Sequence, residues 1–577
     1  MIITPLGALL CHTLSTRLRQ PAHVHEMVEE LGSILTFAGR PLPNHAADKV
    51  IFFQYRPMDS RTNDSWGMFV RDVSSGERKL LDAFSTADWK DTWIYGQVVT
   101  FGWSPDDNYF AYARKEMKEL VICDVNAGKA AATFPMKVKI TSGAWLASQS
   151  FVCTDTEKIF DFEQSGDQWL GPQDNFRRGE PVGRNIDFLR AYSTNVLLWK
   201  QGNTLRSVSK SMDAPTIIWE PPTNDTEILE YTYSPEAQKI LLHARDNQGR
   251  FFAELNVRNP LQQKAISVRE RYPREHRPSQ VRIINNGLGR AYLNKSDYSL
   301  NFPVITPEKN QAPLQLPWQG EIKSFEVSGP ELFVIGALTN EPIGIWKYDL
   351  VTGSLNCLVS NQQHPFKYAT SQPVVEIAAT NTLGQRLTCY VLEPSHSKAG
   401  RPPPLVLGVM GEYEKAYYWD RYSQTIANCG AYFVTVDRRN RAETEWADDV
   451  MCAYDTLTRK LVIDTNQVYL LGISVGAAPI NLLLETGPER WRGAIYESPS
   501  SLPNPAGLRS KNFLIDIGGL DELWGKDSVR AKDFRDAAAS AGADVTLLIR
   551  PEVGHNCRIL SIEKERLHQL AAFLSKP

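Results

Sequence analysis

The sequence predicts an all-β propeller followed by a doubly wound, mostly parallel α/β sheet. Three observations carry that prediction. A strand-rich unit recurs at roughly 40-residue spacing through the first two thirds of the chain, the period of propeller blades. After residue 400, near-continuous apolar runs alternate with helix-like segments, which is how strands buried on both faces of a parallel sheet read. In "YLLGISVGAAPINLLLE" (469 to 485) a serine between two glycines directly follows one of those runs.

At 577 residues the chain exceeds what a single core organises, so two or more domains are expected. A net charge of -3 and a pI near 6.4 supply no basic field, which excludes an electrostatically held nucleic-acid partner and suits a small or neutral substrate. Cysteines 11, 123, 153, 357, 389, 429, 452 and 557 lack the spacing of a disulfide framework or a C-x-x-C metal site and leave the redox compartment open. No metal or organic cofactor is implied. No run approaches the roughly 18 apolar residues that span a bilayer, so no membrane association is expected. The opening "MIITPLGALLCHTL" is mildly apolar, yet it lacks a basic n-region and a small-residue cleavage site, and Pro5 interrupts it. Leu10 is too bulky before Cys11 for a lipid-anchor site. The expectation is a cytoplasmic protein, with a secreted or periplasmic one left open.

Residues 1–44 form an N-terminal helical segment, because Val24, Met27, Val28, Leu31 and Leu35 recur at helical spacing over 22 to 37. From 45 to 365, short β-rich runs are separated by Asp, Asn, Gly, Ser and Pro turns. The repeat is clearest in "FGWSPDDNYFAYARKEMKELVICDVNAGKAAAT" (101 to 133) and "YTYSPEAQKILLHARDNQGRFFAELNV" (231 to 257): an aromatic strand, an S-P-[DE] turn, a strand, a polar turn, a strand. Residues 50 to 81 and 331 to 358 follow the same order, and weaker units fall near 140 to 165, 185 to 218 and 280 to 315. The expectation is seven blades, each burying its faces on its neighbours in a closed ring; a large β-sandwich is the lesser alternative. Crossing strands and a Pro-rich linker occupy 366–404, ending in "PSHSKAGRPPP". The 405–577 domain has strands at 404 to 410, 431 to 437, 467 to 474, 491 to 498, 512 to 519 and 544 to 550. Helices are expected at 419 to 430, 444 to 460, 475 to 487, 527 to 541 and 560 to 575.

Ser474 in G-x-S-x-G sits after a buried strand and before a helix, the context of a nucleophile elbow in an α/β-hydrolase sheet. Such an elbow needs a base beyond the later strands, in the order Ser, Asp, His. After residue 400 the chain has only His555 and His568. His568 falls inside the C-terminal helix, whereas His555 lies in "PEVGHNC", a loop past a strand's carboxyl end, where ligands meet an open α/β sheet. For the acid, "NFLIDIGGLDELW" offers Asp516, Asp521 and Glu522. Asp516 lies within the strand, and Asp521 just past it, on the same edge as Ser474 and His555, is the better choice. Asp527, at the next helix start, is a weaker alternative that an N-cap role would explain without catalysis.

These features together resemble the prolyl oligopeptidase family of serine hydrolases, in which a β-propeller sits over the active site of an α/β-hydrolase domain. The resemblance rests on the S-P-[DE] blade turns, the crossing segment "VVEIAATNTLGQRLTCYVLEP" (374 to 394), the elbow "GISVGA", the acid loop "GGLD" and the Gly554-His555 pair, and it spans nearly the whole chain. It implies Ser474, Asp521 and His555 as a triad, and an N-terminal segment that rejoins the hydrolase. Departures are equally plain. Where relatives carry H-G-G-P or a tyrosine after the first buried hydrolase strand, this chain reads "VMGEY", with Met410 at that position. The oxyanion donors are then expected from backbone: Val475 N–H, with Gly411 or Glu412 supplying the second. "DRRNRAETEW" lacks the glycines of its counterpart, and Leu523 replaces the arginine two residues past the acid, so strict post-proline cleavage is not inherited. The leading expectation is a serine hydrolase of short peptides or peptide-like amides. The alternatives are a carboxylesterase with the same triad, and a catalytically weak binding or scaffold protein that uses its propeller. Oligomeric state is left open.

Overall fold

The computed structural model describes all residues except 1–22, 35–36, 57–64, 86–97, 156–157, 174–185, 210–214, 222–224, 235–237, 258–267, 272–277, 285–288, 295–298, 302–317, 319, 339, 361–365, 397–399, 411–418, 437–441, 525–527, 552, 556–559 and 577. Six antiparallel sheets of four consecutive strands span residues 37–85, 99–135, 142–173, 186–219, 227–271 and 320–359. The repeat expected at 280 to 315 is present as three strands, Pro278–Ile284, Gly289–Asn294 and Ser299–Asn301. Complete blades therefore number six among the described residues, against the seven expected. The difference lies in that repeat, whose continuation from 302 to 317 is outside the described residues.

The first strand of each sheet lies innermost, packed on the first strands of neighbouring sheets. The strand-rich region also begins before residue 45. Phe37–Pro43, "FAGRPLP", falls in the segment expected to be helical but is a strand that pairs with Lys49–Arg56 through a bulge between Ala38 and Leu42, a place where a strand tolerates Gly and Pro. Ser324 Oγ donates to Gly39 O at 2.8 Å and Ser328 Oγ to Asn44 O at 2.7 Å, joining last sheet to first. The residue that follows the S-P-D motif has a matching function between blades. Asp107, at φ +59, turns its carboxylate onto His45 N at 3.0 Å, Ala46 N at 3.1 Å and Asn44 Nδ2 at 3.0 Å, tying the second blade to the first.

The second domain is one eight-stranded sheet. Its strands are β1 (Val374–Thr380), β2 (Arg386–Leu392), β3 (Leu405–Met410), β4 (Tyr432–Val436), β5 (Val468–Ile473), β6 (Gly493–Glu497), β7 (Asn512–Gly518) and β8 (Asp544–Arg550). They stand in the order β1-β2-β4-β3-β5-β6-β7-β8, antiparallel at β1 and β2 and parallel thereafter. Besides an N-terminal helix α1 (Val24–Gly32), the helices are α2 (Arg421–Asn428), α3 (Glu443–Lys460), α4 (Ala477–Thr486), α5 (Val529–Ser540) and α6 (Leu560–Leu574). One face of the sheet, with Val406, Leu471, Ile495 and Leu514, packs on α2 and α6 through Ile426, Leu570 and Phe573. The other, with Leu407, Leu470, Ala494 and Phe513, packs on α3, α4 and α5 through Trp446, Ile480 and Phe534. Both faces are covered, which is why these strands read as unbroken apolar runs.

Helix α1 buries Val24, Met27, Val28 and Leu31 in a cluster shared with Phe52, Phe69, Phe333 and Ile335 of the propeller and with Leu567 and Ala571 of α6. Each such side chain is worth roughly 1.5–3 kcal/mol on full burial. Glu30 adds a polar anchor, accepting from the backbone N–H groups of Lys367 at 2.9 Å, Tyr368 at 2.8 Å and Ala369 at 2.8 Å. Among the described residues no helix is long and apolar enough to cross a membrane.

Candidate active site

Strand β5 ends at Ile473, and the chain turns through a single 3-10 turn, Ser474–Gly476, into α4. Ser474 has φ +54, a left-handed conformation uncommon for a residue with a Cβ. Such strain is the mark of an elbow that holds a side chain out at the strand end. Gly472 makes the turn possible: a Cβ there would meet Ala477 Cα and Ile480 Cδ1 at 3.0 Å, so strand and helix could not approach as closely.

Ser474 Oγ lies 2.9 Å from His555 Nε2, and His555 Nδ1 lies 2.8 Å from Asp521 Oδ2. The three residues follow β5, β7 and β8, and the continuous parallel ladder β5-β6-β7-β8 brings their carboxyl ends to one edge. Loop-to-loop hydrogen bonds extend the β7–β8 ladder: Gly519 N donates to Arg550 O at 2.7 Å and Leu520 N to Val553 O at 2.8 Å. The Gly518-Gly519 pair permits this. A Cβ on Gly518 would lie 2.4 Å from the carbonyl oxygens of Val553 and Gly554.

Asp521 is 1% exposed, and its Oδ1 accepts from Leu523 N at 3.0 Å. The buried Trp524 pins the same loop, donating from Nε1 to Pro499 O at 2.7 Å. His555 remains about a quarter exposed (26%). The hydrogen bond from Asp521 raises its pKa above the ordinary imidazole value of 6.5. Burial opposes that rise, while the charges of Asp521 and Glu497 add to it. In chemical terms, a hydroxyl faces an imidazole whose other nitrogen is held by a buried carboxylate, which fixes the tautomer able to accept the hydroxyl proton.

The other residues weighed from sequence go elsewhere. Asp516 is buried in β7, 2.8 Å from Arg550 Nε and 3.1 Å from Arg566 Nη2. His568 bonds Glu29 of α1 at 2.9 Å. Glu522 is exposed, Leu523 is half exposed, and Asp527 lies outside the described residues. Val475 follows Ser474 in the elbow turn; Gly411 and Glu412 lie outside the described residues. Sequence reasoning missed Glu497, at the end of β6, whose charge acts on His555 and which pairs with Arg566 at 3.1 Å. It also missed the Arg550–Arg566 clasp. The available signal was an acid inside an apolar strand, since a buried charge demands a partner.

No family model and no curated protein matches the sequence. Solved structures do match. A Mycobacterium tuberculosis puromycin-hydrolyzing peptidase is 14% identical, with 95% of each chain covered and a TM-score of 0.63. A Pyrococcus horikoshii acylaminoacyl peptidase is 13% identical, with 93% of this chain and 95% of that one covered and a TM-score of 0.66. One of two prolyl endopeptidases is 14% identical, with 99% of this chain and 94% of that one covered and a TM-score of 0.60. Identities this low carry the fold: over 93% to 99% of its length the chain shares with them the architecture of a β-propeller joined to a mostly parallel α/β domain.

Proposed function

We propose that the protein is a divergent member of the prolyl oligopeptidase family, a serine hydrolase that cleaves short peptides or peptide-like amides. The observation that carries this reading is the hydrogen-bonded relay from Ser474 Oγ through His555 to Asp521, with Ser474 on a strained elbow. Ser474 Oγ attacks the substrate carbonyl carbon while His555 Nε2 takes its proton. The resulting oxyanion is held by Val475 N–H and a backbone donor of the Gly411–Glu412 loop. His555 then gives the proton to the leaving amine, the C–N bond breaks, and the acyl group stays on Ser474 until water, deprotonated by the same imidazole, releases it. Asp521 holds Nδ1 and stabilises the imidazolium. Single-residue donors of this kind are worth about 100-fold to 1,000-fold in rate, so the loss of the tyrosine position to Met410 favours one second reading, a carboxylesterase acting on an easier bond. Partners on either reading are small peptides, amides or esters, with no nucleic acid and no cofactor.

A fluorophosphonate probe tests the assignment directly. Labelling of the native protein that disappears in Ser474→Ala and His555→Ala is the expected result. A folded native protein that stays unlabelled would overturn it and shift attention to the propeller as a binding module. Turnover of peptidyl and aminoacyl anilides well above trace, compared with a p-nitrophenyl ester, separates peptidase from esterase.

A further inference from the structure

Helices α1 and α6 pack side by side, and at their seam the sequence places an unusual donor set. His25 and Glu29 are four residues apart on α1 and therefore project from one face. His568 of α6 meets them: its Nε2 is 2.9 Å from Glu29 Oε1, and its ring stacks on His25 with centroids 4.8 Å apart and planes 18° from parallel. One ligand atom from each of the three lies within 4.8 Å of the other two, and no other group of three His, Cys, Asp or Glu among the described residues is so placed.

We propose that His25, Glu29 and His568 form a divalent transition-metal site, Zn2+ by the chemistry of its donors, that clamps the N-terminal helix to the C-terminal helix. Two imidazole nitrogens and one carboxylate oxygen are a zinc-type donor set, bonded at about 2.0–2.2 Å with water in the fourth position. A tetrahedral ion would draw the donor atoms to about 3.3 Å apart. Rotation of the side chains supplies that movement: His25 is exposed, and the half-buried Glu29 and His568 have side chains 41% and 28% accessible. Lys564 Nζ is bound at 2.8 Å to the other carboxylate oxygen, Oε2, which leaves Oε1 to the metal. The metal takes the place of the His568–Glu29 hydrogen bond, so it adds a cross-link where one weak polar contact stood. Because α1 also packs on the first and last blades, the clamp fixes the helix that bridges propeller and hydrolase.

The test uses the full chain without a histidine tag, stripped with chelator and exchanged into chelator-free buffer. Titration with ZnCl2 by calorimetry should give one equivalent per chain with a Kd below about 100 μM, tighter at pH 8 than at pH 6 because imidazole must be neutral to bind. Thermal midpoint should rise with free Zn2+. Co2+ should give the visible absorption of a tetrahedral centre. His25→Ala, on an exposed position, and His568→Ala should each weaken binding at least 10-fold, while His555→Ala retains the equivalent. Absence of Zn2+ binding by the native chain, or an equivalent that survives in the folded His25→Ala/His568→Ala double variant, would overturn the proposal.

Discussion

Asp516 and Asp521 stand five positions apart, within one strand and in the loop that follows it, and both are buried. Their surroundings make them different instruments. Asp516 is enclosed by the guanidinium groups of Arg550 and Arg566, both nearly inaccessible, and the second of these is in turn held by Glu497 and Glu563. Asp521 faces one imidazole, half of whose polarity is turned to a serine hydroxyl. A carboxylate between fixed cations is a structural tie; a carboxylate against a group that gains and loses a proton can do chemistry. The partner, rather than burial, decides which.

That contrast can be broken by exchanging charge for shape. Asp521→Asn should cost the largest amount, about 10^4-fold in kcat, as expected when a triad imidazole is left in the wrong tautomer, with the thermal midpoint nearly unchanged. Asp516→Asn should do the reverse. It leaves two buried guanidinium groups short of charge, a loss of about 3–5 kcal/mol in denaturant unfolding, while kcat per folded molecule, counted by probe labelling, changes little. Gly518→Ala lies between them, since its Cβ would press on the Val553 and Gly554 carbonyls and part the acid loop from the histidine loop. A cost of about 1–3 kcal/mol and a lower kcat together are expected.

The smallest effect sharpens the comparison through pH. Because His555 must be neutral to accept a proton and its pKa is raised, the acid limb of kcat/KM should fall above that of an ordinary imidazole. Asp521→Asn should move the limb to lower pH, and Glu497→Gln should move it the same way by less. Stability runs with the opposite sign. A pKa raised on folding stabilises fully below the unfolded value and loses that contribution as pH rises through the folded one.

How far the site was legible follows from the kind of signal each residue leaves. Ser474 is marked locally, by glycines that its turn requires and by the apolar strand before it. His555 is marked by scarcity, being one of two histidines after residue 400, and by its loop position. Asp521 needed an argument about which side of a strand end it occupies. Arg550 and Arg566, on β8 and α6, carry no local mark at all, because nothing nearby in the chain says that both will converge on Asp516. Phe37–Pro43 shows the same limit in the fold. It falls in the segment expected to be helical, and only pairing with Lys49–Arg56 and closure against the last blade make it a strand.

The sequence alone therefore determined the repeating β units, the alternating strands and helices of the second domain, the elbow, and the distinction between an acid within a strand and one beyond it. These are written in periodicity and in turn chemistry, which act over a few residues. The tertiary structure decided the rest: the meeting of Ser474, His555 and Asp521 within hydrogen-bond reach, the clasp on Asp516, and the seating of α1 between the propeller and the α/β domain. Those depend on parallel strand register and on side chains hundreds of residues apart, such as Glu29 and His568. Local pattern constrains each element, whereas the contacts between elements are selected only when their faces are buried together.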